Sequence, residues 1–173
     1  PDPTLSPTEF HNSVHNAAAG YWSIGAHSSP PIACIACHDS TFPAALLKAM
    51  AQAAVERRAV LLCAYDLPIP GPLGAKRLTS CAFGAALVLS PAAENAGLGR
   101  ITSEYGAVLA DPEDGVPRLP ALRPLFFTNA AARSLRLLEA LARGEPDTFS
   151  LALLDGRIRI DVRPCSTDSK FSP

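Results

Sequence analysis

The chain has 173 residues, 48% of them hydrophobic and 18% charged, with a formal net charge of -1. That is enough apolar material for one domain with a real core, and the scatter of basic among acidic residues leaves no electrostatic footprint for nucleic acid or an anionic membrane. The longest apolar runs, 59–65 and 81–89, fall far short of a bilayer-spanning length of about 18 residues. The five cysteines are an odd number spread over apolar segments, which argues against a disulfide framework and for reduced thiols. The opening Pro1-Asp2-Pro3-Thr4 has no initiator methionine, basic n-region or apolar h-region, so the chain reads as a fragment or processed product of a cytoplasmic protein.

In chain order, Ser6-Pro7-Thr8-Glu9 predicts a helix start, with Ser6 as cap, Pro7 where no N–H is needed and Glu9 closing a capping box. The helix is expected over 7–24, with Val14, Ala17, Ala18, Tyr21 and Trp22 at helical spacing and Ala17-Ala18-Ala19-Gly20 as a thin side for close packing. Residues 31–37 form a short apolar run bounded by turn residues, the pattern of a buried strand. Asp39, Ser40 or Thr41 can cap a helix through Leu46, Leu47, Met50 and Ala54 to the basic end Arg57-Arg58, and 59–65 is the next strand, completing a strand–helix–strand unit. A proline-rich loop over 66–74 leads to strands at 79–90 and 101–109, expected to be neighbours in one sheet. After a loop at 111–124, Asn129 caps a helix that ends at Gly144, and strands at 148–154 and 157–162 flank Asp155-Gly156, the strongest hairpin signal in the chain. The tail from Ser166 is expected to be disordered.

Several of these segments resemble one family. Ser6-Pro7 and the run Asn12 to Ile24 are similar to the helix that precedes the active-site strand in β-ketoacyl synthases, residues 31–37 resemble that strand, and 39–64 resemble the helix behind the nucleophile and the next strand. Ser13-Val14-His15-Asn16, Trp22-Ser23-Ile24, Asp39-Ser40-Thr41-Phe42 and Ala45-Leu46-Leu47 resemble the short synthase-like, chain-length-factor-type proteins of aryl-polyene-type pathways, and the later helix and hairpin at 129–162 also fit that group. The resemblance implies an α/β, thiolase-like layered fold: a single lobe over residues 1–163, incomplete at its N-terminus, followed by a disordered tail at 164–173. It also implies fatty acid or polyketide-type chain elongation, an acyl carrier protein and a dimer with a complete synthase subunit or a second copy. No cofactor and no metal are expected. The implied dimer contact lies around the active-site strand, with Val14, Ala17, Ala18, Ala19, Tyr21 and Trp22 as interface residues.

Decarboxylating condensation needs a thiolate at a helix N-terminus and imidazoles, or an equivalent, to stabilise the enolate. Cys37 precedes a capped helix and is the candidate nucleophile by local motif. Ungapped counting from Ala19-Gly20, or back from Val60-Leu61-Leu62, instead puts the family's cysteine position on Asp39, and shifts of one or two residues bring His38 or Cys37 there. Asp39 cannot form a thioester. All four histidines, His11, His15, His27 and His38, precede residue 39, whereas the family's decarboxylating histidines come from a later lobe. The resemblance therefore implies a non-catalytic, chain-length-factor-like partner; the alternative is a 3-oxoacyl-carrier-protein synthase that uses Cys37 with histidines supplied by its partner.

Other readings are weaker. Cys34-Ile35-Ala36-Cys37-His38 matches a C-x-x-C-H haem-attachment pattern, but alternation in a strand would send the two thiols to opposite faces, and no second C-x-x-C exists. Unreactive buried cysteine is the preferred reading. His11 and His15 at i and i+4 lack a third metal ligand, Tyr21 and Trp22 read as core before acyl tunnel, and Asp111, Glu113 and Asp114 read as solvated charge. Arg57, Arg58, Lys76 and Arg77 could attract an acidic carrier, although a plain soluble surface is the simpler reading.

Overall fold

The structure, a computed structural model, describes residues 6–77, 79–91, 97–107 and 114–165. The chain divides into two compact units, Pro1–Ala36 and Cys37–Pro173.

The first unit holds two short helices, α1 (Pro7–Asn12) and α2 (Ala17–Gly25), where one continuous helix was expected. Ser13 breaks the run: its hydroxyl donates to the Phe10 carbonyl at 2.7 Å, and its own N–H turns back to the same oxygen. Asn16 then takes the cap position of α2. The capping box also fails, because Ser6 makes no side-chain cap bond. Neither helix buries a residue.

Residues 31–37 form no strand. Pro30 and Pro31 remove two consecutive donors at the start of the run, which works against strand pairing there. The expected strand–helix–strand unit is therefore a helix followed by a strand.

The second unit is built on α3 (Thr41–Glu56), whose Phe42, Leu46, Ala49 and Ala53 recur at helical spacing and are buried. Arg57 ends the helix in the left-handed region. Strand β1 (Val60–Asp66) follows, and after the short helix α4 (Pro72–Lys76) β2 (Phe83–Leu89) pairs with it antiparallel, Leu62 opposite Leu87. The second sheet has the order β3-β5-β4: β3 (Gly99–Gly106), β4 (Asp147–Leu153) and β5 (Gly156–Pro164), all antiparallel. The strands at 83–89 and 99–106 thus lie in different sheets, a correction to the expectation that they are neighbours. The strand β5 supplies the alternating apolar face, Ile158, Ile160 and Val162, against which both flanking strands align.

Between β3 and β4 come α5 (Arg123–Thr128), which the proline-rich sequence concealed, a 3₁₀ turn at Ala131–Ser134 and α6 (Leu135–Arg143). Asn129 caps this last run as expected, its side-chain oxygen accepting from the N–H groups of Ala131 and Ala132, and Gly144 closes it at φ +66°. α3 packs on β1, β2 and β4, and α6 on β5, so one apolar core joins Phe42 and Leu46 to Leu137, Phe149 and the inner face of β5.

The hairpin is shifted by one residue from its sequence signal. Leu153 pairs with Gly156, so the turn is Leu154-Asp155, with Leu154 at φ +52°. Gly156 serves close approach instead: a Cβ there would lie 2.6 Å from the carbonyl oxygen of Gly106 on the neighbouring strand. Pro164 belongs to β5 and the Cys165 N–H donates to the Leu98 carbonyl, so the ordered chain extends past 163. The expected tail at 166–173, along with Asp111 and Glu113, lies outside the described residues.

Candidate functional site

The chain enters α3 through a 3₁₀ turn, His38–Ser40. The Cys37 N–H donates to Thr41 Oγ1 at 2.9 Å, and that hydroxyl donates to the His38 carbonyl at 2.7 Å, so Thr41 ties the turn to the start of the helix. Of Asp39, Ser40 and Thr41, the alternative caps in the sequence, Ser40 takes the cap position of α3 without a side-chain cap bond, and the Asp39 carboxylate turns to another partner. His38 adopts φ +52°, a conformation that non-glycine residues rarely hold. Ser40 meets the hairpin turn, its hydroxyl lying 3.4 Å from both the Ala152 carbonyl and the Leu154 N–H.

The structure brings His38 and Asp39 together with Arg77, which follows α4, while the bonds of Cys37 stay within the turn and the start of α3. Arg77 donates from Nη2 to Asp39 Oδ1 at 3.1 Å, and its Nη1 lies 2.6 Å from His38 Nε2. His38 Nδ1 is 3.3 Å from Asp39 Oδ2. A guanidinium can only donate. The contact therefore assigns His38 Nε2 as acceptor and Nδ1 as the proton-bearing nitrogen, which lies near Asp39.

Arg133 enters from the 3₁₀ turn that packs against α3 and β2. Its guanidinium stands 4.3 Å above the Phe126 ring, and its buried Nε has no hydrogen-bond partner. Burial pushes the Arg133 guanidinium below its ordinary value; the positive charge of Arg77 acts the same way and the negative charge of Asp39 opposes it. Sequence reasoning missed Arg133: a single basic residue in Ala131-Ala132-Arg133-Ser134 gives no signal of what lies across from it.

The interface residues lie in the first unit. Val14, Ala18, Tyr21 and Trp22 are exposed, and Ala17 and Ala19 half-buried. Tyr21 is 53% and Trp22 52% exposed, which corrects their reading as core. Tyr21 donates to Asn12 Oδ1 at 2.9 Å and stands edge-on to His11. His11 and His15 do not share one helix face, because the break at Ser13 falls between them. All five cysteines are free; Cys34, Cys63 and Cys81 are exposed, and Cys37 and Cys165 half-buried, so the buried-cysteine reading is also corrected. Among the basic residues singled out, Arg58 pairs with Glu56 and Arg77 with Asp39, while Asp114 pairs with Arg157. No helix among the described residues is long and apolar enough to cross a membrane.

The family model described as the β-ketoacyl synthase N-terminal domain matches residues 2–110. The chain belongs to the β-ketoacyl synthase family. The match takes in α1 through β3, and with them Cys37, His38, Asp39 and Arg77, whereas Arg133 lies beyond it. In fold the chain is similar to the solved complex of a ketosynthase (ApeO) with its chain length factor (ApeC) from Xenorhabdus doucetiae, at a TM-score of 0.63 and 20% identity. That alignment covers 91% of this chain and 58% of the solved chain, so the chain spans little more than half the length of that synthase-family relative. No curated protein matches the chain.

Proposed function

We propose that this chain is a synthase-like partner subunit, similar to a chain length factor, that pairs with a complete β-ketoacyl synthase and shapes its acyl chain without itself carrying the acyl group. The observation that carries the reading is the state of the nucleophile register. Asp39, where ungapped counting puts the family's cysteine, is ion-paired with Arg77 and lies beside His38, whose Nε2 is also taken up by Arg77. A carboxylate held in this way is neither a thiol nucleophile nor an enolate-stabilising imidazole.

The partner surface follows from the first unit. About 40 residues is too short a chain to build a core of its own, and Phe10, Tyr21, Trp22 and Ile24 are all exposed there. Aromatic side chains of this kind are the usual anchors of an interface. The reading includes an acyl carrier protein as donor to the complex, a heterodimer and a cytoplasmic setting. A second reading, a condensing enzyme with partner-supplied histidines, is favoured by one observation: Cys37 is half-buried, not sealed away, at the entrance to a 16-residue helix.

Co-expression with a complete synthase tests the partner role. The chain should co-purify with it, and Ala18→Trp, which adds bulk to an exposed position of α2, should abolish co-purification. Retention of the complex by that variant would remove this surface from the account, and failure of the unaltered chain to associate would remove the partner role.

A further inference from the structure

We draw no further inference here: the strongest candidate, the exposed apolar outer face of the β1–β2 sheet, where Leu61, Cys63 and Tyr65 lie opposite Val88, Ala86 and Gly84, carries nothing because nothing in the structure shows what covers it.

Discussion

Two arginine-held carboxylates in the second unit use the same chemistry to opposite ends. Asp147, at the start of β4, accepts from Arg136 Nε at 2.5 Å and Nη2 at 3.0 Å, from Arg118 at 2.9 Å and from the Thr148 N–H at 3.0 Å. Its side chain is 6% exposed and that of Arg136 1%. Asp39 has one arginine and one imidazole and remains mostly in solvent. Burial decides what each pair is for. Removing either partner of the first breaks a buried ion pair inside the fold, whereas the second can open without threatening the core. The Asp147 cluster also holds the strap before α5: Glu139 accepts the N–H groups of Arg118 and Leu119 at 2.7 and 2.9 Å, and Arg136 donates to the Val116 carbonyl. The buried site is architecture; the exposed one contributes little to holding the fold.

Substitutions at the two carboxylates sharpen that contrast. Asp147→Ala should destabilise the chain by about 3–5 kcal/mol in urea unfolding, and a loss under 1 kcal/mol would erase the distinction. Glu139→Ala should cost about 2 kcal/mol by freeing two backbone donors, with the strap becoming faster in amide hydrogen exchange. Asp39→Asn should change stability by less than about 1 kcal/mol.

Acid offers a route to the same contrast without mutation. Burial pushes the Asp147 carboxyl up, but the bonds and charge of Arg136, then of Arg118, outweigh it and hold the group below its ordinary value of 3.8. The folded state therefore releases this proton more readily than the unfolded chain. The resulting stabilisation is fully present above the unfolded value and is lost as pH falls through the lower folded one. Asp147→Ala should remove that part of the acid dependence, whereas Asp39→Asn should leave the slope from Asp147 in place.

Much of the second unit was legible because local signals and long-range packing agree there. Asn129 as cap, Gly144 as terminator and the alternation of Ile158, Ile160 and Val162 each say the same thing as the fold. The failures came where a local pattern needed a distant partner. The apolar run at 31–37 opens on two prolines and pairs with no strand, and Asp155-Gly156 yielded its turn position because Gly156 is required against Gly106. At the site, Cys37, His38 and Asp39 were visible as neighbours in sequence. The meeting of His38 and Asp39 with Arg77 depends on α4 and the β1–β2 connection, so no spacing rule could have found it.

The measurement that bears most directly on the non-catalytic assignment is intact-mass and peptide mass spectrometry of the assembled synthase complex after loading from an acyl-carrier-protein thioester. The account predicts an acyl adduct on the synthase and none on this chain. An acyl group bound to Cys37 would contradict it.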